Sequence, residues 1–263
     1  MTTVFDTYIP GRSLLHRLDP RAKIWAMLLC LALTFLLPGL TAQALVLMVV
    51  HILLLRSGIP GAVLGRLWRQ LAVLLLLVLI LQPFFTPSGR LLVALGPLRL
   101  TVGGIAHAAA LVLRAANLAF ITCTLLFTTS QPALVQGLMR LGLPYTWGLT
   151  VSLALRFLPA IGDLFNKVRD AQAARGWVAE GNLIKRFRET IPILVAVLIG
   201  TLRMTDQLTL ALAARGTEST RPRSTWRELR MTGQDWWFVV GVTVGVAALV
   251  VAIALSPSVI PNG

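Results

Sequence analysis

Residues 67–85 form one apolar run whose core, 72–81, carries no polar side chain. A run of that length and purity matches the ~20 residues of helix that cross the hydrocarbon part of a bilayer. Further apolar runs cover about 22–37, 41–55, 105–127 and 236–255. The composition agrees: 56% of the 263 residues are hydrophobic and 13% are charged, where soluble globules carry about a quarter. The expected fold class is all-α integral membrane, with about five transmembrane helices. The first two runs are slightly short, but the loop between them, at Pro38-Gly39, is uncharged, so both helices can extend into it. Residues 86–103 are rich in Pro and Gly (Pro87, Gly89, Gly96, Pro97, Gly103) and read as an outer loop holding a short hairpin or a half-helix. The fourth run contains Arg114 and Asn117. An intramembrane Arg faces protein or water, or snorkels to an interface.

Charge orders these spans across the membrane. The chain has 24 Lys and Arg against 10 Asp and Glu, a formal net charge of +14. The bases sit between apolar runs, so the positive-inside pattern explains them and nucleic acid is not the expected partner. Arg12, Arg17, Arg21 and Lys23 precede or open the first span, and fourteen basic residues lie in 130–235. The loop between the first two spans and the C-terminal tail hold none. This implies a membrane protein with a cytoplasmic N-terminus, a large cytoplasmic insertion and an external C-terminus. Three regions follow: 1–129 with four spans, 130–235 as the cytoplasmic insertion, and 236–263 with the last span and tail.

The insertion reads as helices of a second kind. Residues 131–142 form a short amphipathic segment, and 145–175 and 183–215 form long ones with Pro159 and Pro192 inside. Each long helix mixes apolar and polar stretches, and neither apolar part crosses a bilayer comfortably, so oblique positions at the cytoplasmic interface are expected. Both end on the same tetrapeptide, Ala173-Ala174-Arg175-Gly176 and Ala213-Ala214-Arg215-Gly216. Gly past the last turn takes the left-handed conformation that ends a helix, and Arg there complements the negative end of the macrodipole. An ordinary cap would suffice for one copy. Two identical copies, each a slim alanine tip carrying one guanidinium, suit insertion into a partner's groove, where Arg makes forked bonds.

Catalytic patterns are missing. The chain has no Gly-x-x-x-x-Gly-Lys-Ser/Thr phosphate loop, no His-Glu-x-x-His and no Gly-x-Ser-x-Gly. His16, His51 and His107 have no metal-ligand spacing, and His51 reads as a satisfied membrane histidine. Cys30 and Cys123 lie in apolar runs and read as small hydrophobes. No cofactor is expected in this chain.

Three stretches carry a family likeness: Ser13-Leu14-Leu15-His16-Arg17-Leu18-Asp19-Pro20-Arg21-Ala22-Lys23, then Arg156-Phe157-Leu158-Pro159, then the paired Ala-Arg-Gly ends. The chain resembles the transmembrane T component (EcfT) of energy-coupling factor (ECF-type) ABC transporters for vitamins and metals. The resemblance implies long coupling helices that bind two cytoplasmic ABC ATPase subunits. Ala174, Arg175, Gly176, Ala214, Arg215 and Gly216 would be the contacts. It also implies a separate membrane S component that binds the substrate and docks on the apolar helix faces. In that scheme this chain is a non-catalytic transporter subunit. Two other readings compete: an integral-membrane enzyme acting on a lipid or phosphate substrate, and a self-sufficient permease with Arg114 lining the path.

Overall fold

The computed structural model describes residues 8–11, 13–37, 39–85, 91–95, 98–177, 183–216 and 231–254. In order these hold α1 (Leu14–Arg17), α2 (Pro20–Leu36), α3 (Leu40–Arg56), α4 (Gly61–Phe85), β1 (Leu91–Leu95), β2 (Leu98–Thr101), α5 (Val102–Thr128), α6 (Gln131–Arg140), α7 (Tyr145–Ala174), α8 (Leu183–Ala214) and α9 (Gly233–Ala254). Among the described residues the regular elements are helices apart from one antiparallel hairpin, in which Leu95 pairs with Leu98. That hairpin occupies the turn-rich segment between the third and fourth runs.

Five helical segments among the described residues are long and apolar enough to cross a membrane: Gly61–Phe85, Val102–Thr128, Tyr145–Ala174, Thr190–Ala214 and Gly233–Val251. The number agrees with the sequence, but the membership differs. The two long helices of the insertion qualify, whereas α2 and α3 have 17 residues each. At 1.5 Å per residue those are about 25 Å long, the lower limit for a span. The apolar stretches of α7 and α8 are therefore more continuous than their interleaved charges suggested.

The chain divides into two compact units, one made chiefly of 144–228 and the other of 6–143 with 229–263. In the second unit α5 is the hub, packing against α2, α3 and α4, while α9 packs on α2. Phe120 of α5 is fully buried. Its ring centroid lies 4.4 Å from that of His51 and 5.1 Å from that of Trp68. Trp68 Nε1 donates to His51 Nε2 at 3.0 Å, so His51 carries its proton on Nδ1, which donates to the Leu47 carbonyl at 2.9 Å. Both ring nitrogens are satisfied, as a histidine among apolar helices requires.

A polar lock fixes the α2–α3 turn. Gln43 is fully buried, and its Nε2 donates to the Thr34 and Leu37 carbonyls, each at 2.7 Å. Asn117, also fully buried, donates to the carbonyl and to Oε1 of Gln43, each at 2.9 Å. Arg114 Nη2 donates to the Leu37 carbonyl at 3.1 Å, and the guanidinium lies 6.0 Å from the Phe35 ring centroid. These donors satisfy carbonyls that the end of α2 would otherwise leave orphaned in an apolar setting. Arg114 thus closes a helix end through Nη2, while its buried Nε has no hydrogen-bond partner among the described residues.

The opposite end of α2 is clamped as firmly. Asp19 is the N-cap and Pro20 the first helical residue, with Asp19 Oδ1 accepting from Arg21 N–H at 2.9 Å. The Asp19 N–H donates to Oδ1 of Asp235 on α9 at 2.8 Å. Oδ2 of Asp235 accepts from the Thr232 N–H and hydroxyl, each at 2.7 Å. Lys23 Nζ donates to the Thr128 carbonyl at 2.9 Å and to Thr129 Oγ1 at 3.2 Å, at the end of α5. Helix α6 also rests on this end of α2: a Cβ built on Gly137 would lie 3.0 Å from Pro20 Cβ.

One prediction arises here. Gly137→Val should destabilise the chain by about 1–3 kcal/mol, because backbone and a proline ring on α2 cannot yield to the added methyls. Thermal unfolding of purified protein measures it. An unchanged or raised midpoint would show that α6 does not bear on α2.

Candidate functional site: two arginine-tipped helix ends

The site is built on α7 and α8, the unit of 144–228. The two helices pack on each other with Gly200 against Leu164, where a Cβ would come within 2.9 Å of Leu164 Cδ2. Among their described residues only Ile193 and Gly148 are buried. Trp147, Val151, Leu158, Leu194, Val195, Leu198, Ile199 and Leu202 are exposed. Such a bare apolar pair is incomplete on its own in water, and marks a surface for lipid or protein.

At the end of α7 the last helical residue is Ala174, and Arg175 is the cap residue with φ −89° and ψ 10°. Gly176 follows in the left-handed region at φ +86°. The Gly176 N–H donates to the Ala173 carbonyl and the Trp177 N–H to the Gln172 carbonyl, each at 3.0 Å. That pair of bonds is the Schellman ending. The second copy repeats the left-handed glycine and its bond. Ala214 ends α8, Gly216 has φ +68°, and its N–H reaches the Ala213 carbonyl at 2.9 Å. A side chain at Gly176 or Gly216 would be strained in this conformation. The motif glycines are therefore explained by backbone geometry alone.

The arginines are not. The other two left-handed glycines among the described residues, Gly58 and Gly142, close α3 and α6 in the same way. In those helices the basic residue, Arg56 or Arg140, is the last residue of the helix and Ser57 or Leu141 is the cap. In α7 the arginine occupies the cap position itself, with alanine in the last two helical places, and the α8 end repeats the order. Arg175 and Arg215 are exposed, as are Ala173, Ala174, Ala213 and Ala214. Neither guanidinium forms an ion pair with a described residue; nearby Asp170 pairs with Arg169 at 3.5 Å. Each tip thus presents a planar five-donor fork on a narrow stem, with its donors unspent.

The structure places the six expected site residues at two exposed helix ends, each closed by a left-handed glycine. Sequence reading noted Lys23 and Asn117 without their partners, and missed the clamp residues Asp235 and Thr232 and the lock residue Gln43. The parts of the insertion at 178–182 and 217–230 lie outside the described residues. Among the described residues there is no group of three or more His, Cys, Asp and Glu side chains that could hold a metal.

Comparison with known proteins agrees with this picture. Residues 11–226 match the family model CbiQ, described as a cobalt transport protein. The energy-coupling factor transporter transmembrane protein EcfT of Listeria innocua is 34% identical over 250 residues, covering 92% of this chain and 94% of that protein. Its counterpart in Thermosediminibacter oceani is 33% identical over 237 residues, covering 87% of this chain and 89% of that protein. A longer protein of Bifidobacterium longum, named as an ABC transporter ATP-binding protein, is 34% identical over 251 residues; these are 92% of this chain and 32% of that protein. With matches spanning nearly its whole length, the chain belongs to the family of EcfT transmembrane proteins of energy-coupling factor transporters.

Proposed function

We propose that this chain is the membrane scaffold and coupling subunit of an ECF-type ABC importer. It passes the ATP-driven motion of two cytoplasmic ATPase subunits to a membrane S component that binds the vitamin or metal ion. The observation that carries this reading is the paired ends of α7 and α8, where the same cap geometry holds an exposed arginine with unspent donors at Arg175 and Arg215. Two equal tips suit two equal or related partners. The longer Bifidobacterium relative supports the pairing, since a stretch like this whole chain is there part of a protein named for ATP binding.

The chemistry asked of the tips is attachment and transmission of force. A guanidinium in a groove lined by carboxylates or carbonyls makes two or more parallel, charge-assisted bonds, which fix direction as well as position. Ala174 and Ala214 keep the stem narrow enough to enter. Gly176 and Gly216 turn the chain away at once. The exposed apolar faces of α7 and α8 fit the S component, whose own surface is membrane-embedded. The subunit is non-catalytic in this scheme, and ATP hydrolysis belongs to the partners.

The charge distribution supports a cytoplasmic N-terminus and an external C-terminus, with both tips on the cytoplasmic side. Single cysteines placed at Ala174 and Ala214 should react with an impermeant maleimide only in inside-out vesicles. Affinity purification of the tagged chain from mild detergent should bring down two ATPase copies and one small membrane protein. Labelling from the outside, or purification of the chain with no ATPase, would defeat the proposal.

A further inference from the structure

The unit of 6–143 and 229–263 contains a cleft that neither the tips nor the bare α7–α8 faces use. It lies between α2, α3, α5 and α9, with Leu15 of α1 at one end. Lys23, Ala26 and Cys30 line it from α2, Val50 from α3, Thr124 from α5 and Phe238 from α9. From Lys23 to Cys30 is seven residues, so this wall runs about 10 Å along α2. Lys23 is the one charged lining residue.

The polar atoms of the wall are already answered from within. Thr124 Oγ1 donates to the Phe120 carbonyl and Thr128 Oγ1 to the Thr124 carbonyl, each at 2.7 Å. These hydroxyls are turned back on α5 and demand nothing of an occupant. A polar solute would leave its own groups unpaired here, and an apolar chain would not. The charge lies at one end only. Lys23 gives two N–H bonds to Thr128 and Thr129, and a primary ammonium has a third. The acidic groups that act on Lys23 are Asp19 and Asp235. Asp235 is engaged by Asp19 N–H and Thr232, and Asp19 Oδ1 by Arg21 N–H. Neither carboxylate comes within 4.0 Å of the ammonium as an ion pair among the described residues. The Asp19 and Asp235 carboxylates stand behind the cleft wall, with Asp19 Oδ2 buried and without a partner among the described residues, and only the Lys23 ammonium lines the cleft itself. The cleft is thus amphipathic in one direction, with that ammonium at the end of α5 and apolar walls beyond.

We propose that this cleft holds one acyl chain of a membrane phospholipid, with the phosphate at the Lys23 end and the chain running past Ala26 toward Cys30 and Val50. Cys30 gives a built-in reporter. In the complete complex carrying Cys123→Ala, Cys30 is the remaining thiol of this chain. After delipidation in detergent, Cys30 should label readily with N-ethylmaleimide, and adding phosphatidylglycerol in mixed micelles should suppress that labelling. Native mass spectrometry of the complex should show one retained phospholipid, lost on filling the cleft with Ala26→Phe. Should that variant fail to fold, the labelling experiment on the unfilled chain stands by itself. Equal labelling with and without phosphatidylglycerol would overturn the proposal. So would protection that appears only when another protein subunit is bound, since the occupant would then be a protein.

Discussion

Replacing both Arg175 and Arg215 by alanine should release the ATPases and abolish uptake, while the membrane part stays folded and inserted. Truncating one partner of a buried, hydrogen-bonded charged pair typically costs about 2–5 kcal/mol. Each 1.4 kcal/mol is about tenfold in affinity. Either single variant should therefore weaken attachment by tenfold or more, and the double variant should lose both anchors. Arg→Lys should rescue in part, because an ammonium keeps the charge but not the planar fork. A role limited to helix capping predicts much less. An exposed cation at a helix end contributes about 0.3–1 kcal/mol, and the cap bonds at both tips are made by backbone groups. Pull-down of the ATPases alongside uptake distinguishes the two. Retention of both ATPases with normal uptake in the double variant would reduce the arginines to caps.

Asp235→Ala should be the most destabilising single change in the clamp between α2 and α9. Asp235 is 2% exposed and accepts three hydrogen bonds. One comes from the Asp19 N–H, 216 residues away, and is itself buried. Alanine strands that donor and the Thr232 N–H, at about 1–3 kcal/mol for each buried group left unpaired. The sum, roughly 2–6 kcal/mol, corresponds to a fall of roughly 4–24 °C in the unfolding midpoint. Asp235→Asn keeps one carbonyl acceptor and should fall between. The loss should appear as detachment of α9, read by faster proteolysis or exchange in 233–254, with the α7 and α8 tips still binding ATPase. An unchanged midpoint for Asp235→Ala would mean that the two helices are held by apolar contact alone.

Much of this fold was legible locally. Asp19-Pro20 announces a helix start because a capping carboxylate and a proline at the first turn satisfy the same geometry wherever they occur. The Ala-Arg-Gly ends were legible for the same reason, and His51 as a satisfied membrane histidine followed from its apolar run. What could not be read is pairing across the chain. Arg114 was ambiguous in the sequence because its acceptor is a backbone carbonyl 77 residues away, and carbonyls look alike at every position. Gln43 in α3 and Asn117 in α5 are unremarkable singly and meaningful only as a pair. Asp235 has as its partner a backbone N–H near the other end of the chain, which no local pattern marks. Hydropathy placed α2 and α3 to within two residues, but not the Gln43 lock that holds the turn between them. The distinction at the tips was partly hidden too. The sequence shows Arg-Gly at two ends, but only the backbone shows Arg56 and Arg140 inside their helices and Arg175 on the cap.

The central claim is that the α7 and α8 tips are seated in ATPase subunits. Site-directed cross-linking tests it most directly: a photo-reactive probe attached to a cysteine at exposed Ala171 or Ala211, about one turn before each tip, with Leu74 on exposed α4 as the control position. In membranes containing the whole complex, both tip positions should cross-link to an ATPase subunit, and addition of ATP should change the yield at both. Leu74 should give lipid adducts only. An intact, transporting complex in which neither tip cross-links to an ATPase would contradict the account.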